Sequence, residues 1–156
     1  MTTIYTIGHS NHDWDTFLPL LNGHGIELLA DVRSRPVSRF APFANKVRFP
    51  GLLALENIEY LFMGESLGGR PEDSLLRGDD GRPDYKKMAR DGRFAAGIAE
   101  LTELAGRSAT AIMCSEEDPG NCHRLLLIAP ALEAHDVDVL HIRKSGELVN
   151  QLPMIE

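Results

Sequence analysis

Apolar residues gather in five short β-type runs, at 3–8, 26–32, 58–63, 108–114 and 137–142, and stretches of helical spacing separate most of them. That alternation predicts a parallel sheet with helices packed on its faces. The first helix carries Trp14, Phe17, Leu18 and Leu21 on one face, starts at Asp13 as N-cap and stops at Gly23-His24-Gly25, with Pro19 inside it. A second places Phe94, Ile98, Leu101 and Leu104 at core spacing and ends at Gly106. A third begins near Asn121 and runs through Leu125, Ile128 and Leu132, with Pro130 placed to kink it. Two segments, 33–50 and 64–91, fit the scheme poorly; loops this long in a small domain are expected to be functional or partly disordered.

Composition narrows the class. With 156 residues, 43% apolar and 25% charged, the chain is expected to fold as one α/β domain over 1–156 without disulfides. No apolar run approaches the roughly 18–20 residues of a membrane span, and the first residues lack a secretory pattern, so no membrane partner and a cytoplasmic address are expected. Two cysteines in a reducing compartment are buried or functional rather than bridged. Charge is uneven: Arg33, Arg35, Arg39, Lys46 and Arg48 share a stretch with no Asp or Glu in a chain of net charge −7. Such a block suits a localised anion, because guanidinium groups bind oxyanions in bidentate fashion.

Ligands of open α/β sheets bind beyond the carboxyl ends of the strands. Those ends lead into Gly8-His9-Ser10-Asn11, Asp31-Val32-Arg33, Leu67-Gly68-Gly69-Arg70 and Cys114-Ser115-Glu116, and His141 lies near the end of the last run. Between Cys114 and Arg124 the chain reads as strand, Pro119-Gly120 turn and helix start, with Asn121 as cap and Cys122, His123 and Arg124 in the first turn. Amides there favour an anion and lower the pKa of a nearby thiol. The plainer reading is a buried cysteine, a capped helix and solvated charges.

These blocks together are similar to a bacterial and archaeal family, the domain of unknown function 488. The resemblance rests on Thr6-Ile7-Gly8-His9-Ser10, Asp31-Val32-Arg33 with Pro36 and Ser38, and Leu67-Gly68-Gly69. It continues through Tyr85 with Met88 and the Cys114, Glu116, Cys122-His123-Arg124 array. It implies a small Rossmann-like fold, here a mostly parallel sheet of about five strands flanked by helices, and leaves the reaction open.

The leading expectation is a transferase or hydrolase acting on a small phosphorylated or nucleotide-type anion. Arg33, Arg39 and Arg124 would neutralise oxyanion charge, His9 or Glu116 would move a proton, and Cys114 or Cys122, with His123, would supply a nucleophile. Ser10, Asn11, Gly68 and Gly69 would line the substrate, though Ser10 or Asn11 equally suits a helix cap and the glycines a plain turn. Asp31 either contacts substrate or pairs with Arg33 to orient it; His141 is read as structural. The glycine fingerprint of a dinucleotide fold is absent after the first strand, which disfavours NAD, and no other cofactor is indicated. No metal is assigned, since C-x7-C-H lacks the paired spacing of structural zinc sites. Two alternatives stand: a nucleic-acid surface on the 33–48 loop, where Phe40, Phe43 and Phe49 could stack on bases, and a metal or thiol redox site at Cys114 and Cys122. The oligomeric state is open. The enzyme reading requires His9, Arg33 and Cys122 to share one crevice.

Overall fold

A computed structural model describes residues 2–71, 73–116 and 122–150. All five expected strands form: β1 (Thr2–Gly8), β2 (Leu28–Asp31), β3 (Glu59–Phe62), β4 (Thr110–Cys114) and β5 (Val137–Ile142). A sixth, β6 (Leu148–Asn150), was not expected. It pairs antiparallel with β5 after a turn at Gly146, whose φ of 88° suits glycine, and three residues are too few to carry a periodic signal. The order is β3-β2-β4-β1-β5-β6, parallel except at β6. Every residue of β2 and β4 is buried, which is why both read as continuous apolar runs.

Helix α1 (Trp14–Asn22) starts where expected, with Asp13 accepting from the Thr16 amide at 2.8 Å. Neither Ser10 nor Asn11 caps it. Ser10 instead takes a left-handed φ of 48° and its hydroxyl donates to Asn11 at 3.4 Å. Helix α5 (Gly92–Ala105) buries Phe94, Ile98 and Leu101 as its spacing requires. The third expected helix forms as one unbroken helical run that opens with a π-helical stretch, Arg124–Ile128, and passes directly into α6 (Ala129–Glu133). Pro130 falls inside this run directly after the π-helical stretch, where the regular i→i−4 ladder is already interrupted and its missing amide is accommodated.

The two long segments are not structureless. The first holds a 3₁₀ turn (Pro42–Ala44) and leads into α2 (Phe49–Ala54); the second holds α3 (Gly64–Leu67), a 3₁₀ turn (Ser74–Leu76) and α4 (Tyr85–Ala89). These helices are too short to show a period.

Two cores result, one per face of the sheet. Phe17, Leu21, Phe43, Phe49 and Leu53 of α1, α2 and the loop between β2 and α2 pack on one face with Ile7, Leu29 and Met113. Leu67, Met88, Phe94, Ile98 and Leu132 of α3–α6 pack on the other with Ile4, Ala30 and Cys114. The connections after β1 and β2 therefore leave to one face, and those after β3 and β4 to the other. Because β4 lies between β2 and β1, the connections diverge on both its flanks, and such divergence opens a crevice at the strands' carboxyl ends.

Trp14, Phe17, Phe43, Phe49 and Tyr60 form one aromatic cluster, with ring centroids 5.1–6.5 Å apart. Phe49 is wholly buried at its centre. Replacing Phe49 with Ala is expected to cost about 3–5 kcal/mol in urea unfolding. Val47→Ala, at a residue 95% exposed, is expected to change stability by less than about 0.5 kcal/mol.

Candidate functional site

Gly8 pairs with Cys114, and Asp31 with both Met113 and Phe62, so the ends of β1, β4, β2 and β3 stand in a row. The next residues extend this edge. The His9 amide donates to the Cys114 carbonyl at 3.0 Å and the Ser10 amide to the Ser115 carbonyl at 2.8 Å.

Asp31 and Arg33 form a buried ion pair, 0% and 3% exposed at their side chains. Arg33 Nε donates to Asp31 Oδ1 at 2.9 Å and Nη2 to Oδ2 at 2.8 Å, the bidentate fork that guanidinium geometry favours. The Arg33 amide also donates to Oδ1 at 3.1 Å, and the Tyr60 hydroxyl donates to Oδ2 at 2.6 Å. Burial, then that bond to a carboxylate, pushes the Tyr60 phenol well above its usual range. Arg33 Nη2 further donates to the Ala44 carbonyl, tying the 33–50 loop to the end of β2. This leaves Arg33 Nη1 buried with no hydrogen-bond partner among the described residues.

His9 is 2% exposed. Its Nδ1–H donates to the Ser10 carbonyl at 2.8 Å, which leaves Nε2 as a bare lone pair, and that nitrogen is also buried without a partner. Burial chiefly, helped by the Arg33 charge and opposed by the Ser10 bond, lowers the His9 pKa to about 4. A third unpartnered buried nitrogen is His12 Nε2. The His12 amide donates to the His9 carbonyl at 3.1 Å, a turn that folds His12 back beside His9. Sequence reasoning missed His12; the signal was the H-x-x-H spacing directly after a strand.

The thiols lie on the other face. Cys114 and Cys122 are buried in the α3–α6 core, and Cys114 Sγ contacts the Glu116 carbonyl at 3.7 Å. Cys122 Sγ lies 3.6 Å from His123 Nδ1, and His123 Nε2–H donates to the Val32 carbonyl at 3.1 Å. That donation leaves Nδ1 as the acceptor facing the thiol. Burial, then the Cys122 charge, raises the Tyr85 pKa, with Arg70 opposing. The π-helical stretch begins next to this pair; such bulges recur at functional sites. Gly69 permits close approach to His123: a Cβ there would stand 2.8 Å from ring atoms. A Cβ on Gly68 would lie 2.4 Å from Ser34 Oγ. Both glycines thus serve contacts within the protein.

The expected single crevice is therefore divided. His9, Asp31 and Arg33 gather toward the α1–α2 side, Cys114, Cys122, His123 and Gly69 toward the α3–α6 side, and the Val32 carbonyl beside Arg33 joins them. The Glu116 side chain is exposed, and Arg39 is exposed with its guanidinium 5.2 Å from the Phe40 ring centre. Asn121 and the Arg124 side chain lie outside the described residues. His141 is buried and hydrogen-bonded to Thr6 across β1 and β5, a structural role as expected. Phe43 and Phe49 belong to the core and cannot stack on bases; Phe40 is 66% exposed. Among the described residues no group of three or more His, Cys, Asp and Glu is arranged to hold a metal.

The family model for "Domain of unknown function DUF488" matches residues 13–130. The chain belongs to the DUF488 family. The match begins after His9 and His12 and spans the Asp31–Arg33 pair, the Gly68-Gly69 turn and the Cys122–His123 pair. No curated protein and no solved structure matches this DUF488 chain. No helix among its described residues is long and apolar enough to cross a membrane.

Two measurements check this geometry. Between about pH 6.5 and pH 4 the unfolded chain binds a proton that native His9 does not, so stability should fall as pH drops through that window. The loss attributable to His9 is roughly 3 kcal/mol at most, and in paired pH-dependent urea titrations His9→Asn should flatten the slope. Asp31→Asn leaves Arg33 as an uncompensated buried charge and is expected to cost about 3–5 kcal/mol by the same method at pH 7.

Proposed function

We propose that this DUF488 protein is an enzyme, a hydrolase or transferase, acting on a small phosphorylated or nucleotide-type anion at the carboxyl edge of the sheet. One observation carries the reading: His9 Nε2 and Arg33 Nη1 are both buried, both fixed by their other bonds, and both without a partner among the described residues. Unpaired buried polar groups are costly, so each calls for a partner from outside the chain, a water or a ligand. One is an acceptor and the other a cationic donor. Their complement is a molecule with an acidic or hydroxylic hydrogen beside an oxyanion, as in a phosphate ester approached by water.

In this reading Arg33 Nη1 binds a phosphoryl oxygen, and the Asp31 fork and Ala44 carbonyl keep the guanidinium from turning. His9, neutral at pH 7, removes a proton from the attacking hydroxyl at Nε2 as the new oxygen–phosphorus bond forms. The ester bond to the departing oxygen breaks, and that oxygen leaves as an alcohol, with its proton drawn from solvent. His12 Nε2 is a further buried nitrogen without a partner among the described residues. The nucleic-acid reading is weaker, since of the three loop phenylalanines only Phe40 reaches the surface.

Titrating inorganic phosphate into protein with ¹⁵N-labelled histidine tests the centre directly. The His9 Nε2 resonance is expected to shift, and Arg33→Lys, which loses the fork, to abolish that response. On a panel of phosphate mono- and diesters, His9→Asn should reduce turnover by about 10²-fold or more with the melting temperature retained. A His9 signal indifferent to phosphate, or full turnover by His9→Asn, sinks the proposal.

A further inference from the structure

A cavity of about 890 Å³ lies beside α3 and the start of α5, on the side of the sheet edge away from the α1–α2 core. Its size is at the upper end of the roughly 300–1,000 Å³ typical of small-molecule sites. Four arginines line it: Arg35, Arg70, Arg77 and Arg93. Two are already engaged. Arg93 pairs with Asp91 at 3.1 Å and Asp73 at 3.5 Å, and Arg77 donates to the Gly81 and Pro71 carbonyls at 2.9 and 2.7 Å. The guanidinium groups of Arg35 and Arg70 meet no carboxylate or carbonyl among the described residues.

These two guanidiniums spring from one stapled junction. The Arg70 amide donates to Ser34 Oγ at 2.9 Å, and Gly68 abuts the same hydroxyl so closely that a Cβ would overlap it. Ser34 immediately precedes Arg35, so one hydrogen bond holds the roots of both arginines at the cavity's edge. Gly69, the residue before Arg70, lies against the His123 ring, so this edge of the cavity comes close to that imidazole. The α3–α5 wall has the opposite character. It presents Glu65 and Glu100, neither of which is paired among the described residues, and Ser66. A ligand that satisfies both ends has an oxyanion at one end and hydroxyl or amino donors at the other.

We propose that this cavity is a second binding site, for an organic oxyanion of nucleotide size, with Arg35 and Arg70 holding the anionic group and Glu65 and Glu100 accepting from donors on the body of the ligand. It is independent of His9 and stands or falls separately from the reaction centre above.

The test is calorimetric titration of a nucleoside 5′-monophosphate, its parent nucleoside and citrate into the full chain. The monophosphate is expected to bind and the parent nucleoside not to. Competition by citrate would extend the site to carboxylates, and its absence would narrow it to phosphate; both results support an oxyanion site. The double variant Arg35→Gln/Arg70→Gln should weaken monophosphate binding about tenfold or more, since charge-assisted bonds supply the contact, while melting unchanged. His9→Asn should leave the affinity within about twofold, as expected for a site it does not contact. Three results overturn the proposal: no binding of either anion to the wild-type protein, unchanged affinity in the double arginine variant, or affinity lost in His9→Asn while the arginines are intact. The last would assign the ligand to the His9–Arg33 centre instead.

Discussion

The buried ion pair between Asp31 and Arg33 is the constraint on which this edge of the molecule depends. A guanidinium taken out of water demands compensation, and here it comes from a carboxylate two residues earlier at the end of a central strand. Because that carboxylate is also held by Tyr60 from β3, and the guanidinium also grips Ala44, the pair ties together β2, β3 and the 33–50 loop. The loop then delivers Phe43 and Phe49 to the aromatic cluster beneath it. A segment that reads as long, basic and proline-rich is thus ordered by one charge that faces inward.

The same pair sets the electrostatics next door. Arg33 adds to the desolvation that keeps His9 unprotonated, and the Ser10 carbonyl selects its tautomer. A neutral imidazole with a bare buried nitrogen beside a spare cationic N–H is suited to proton removal near an oxyanion. It is poorly suited to a metal cation, which the neighbouring positive charge would oppose. The left-handed Ser10 stores local strain beside it, as residues at functional sites often do. On the opposite face His123 donates to the Val32 carbonyl, so the Cys122–His123 pair and the Asp31–Arg33 pair are linked through the backbone of the residue between Asp31 and Arg33.

Much of the fold was legible along the chain. Strands buried on both faces are uninterrupted apolar runs, and α1 and α5 are long enough for their period to show, with Asp13 as the cap of α1. Strand β6, the π-helical stretch and the short helices of the two long segments were not legible, because three to six residues cannot display a period. The roles of Gly68 and Gly69 were ambiguous for a different reason. Neither has a positive φ, and what excludes a side chain is the approach of Ser34 and His123 from distant parts of the chain.

The residues of the candidate site were named from their positions after strands, a local property that the sequence by itself determined, along with the fold class, the family and the basic charge of the 33–48 stretch. Which of them meet was decided by the tertiary structure alone. Whether a connection leaves a sheet upward or downward depends on which face its helix can bury, and that depends on contacts between segments far apart in sequence. So it was the packing of α1 and α2 on one face and α3–α6 on the other that parted residues expected to share a single crevice. The same packing turned Arg33 inward while leaving Arg35 and Arg39 outside, and enlisted His12.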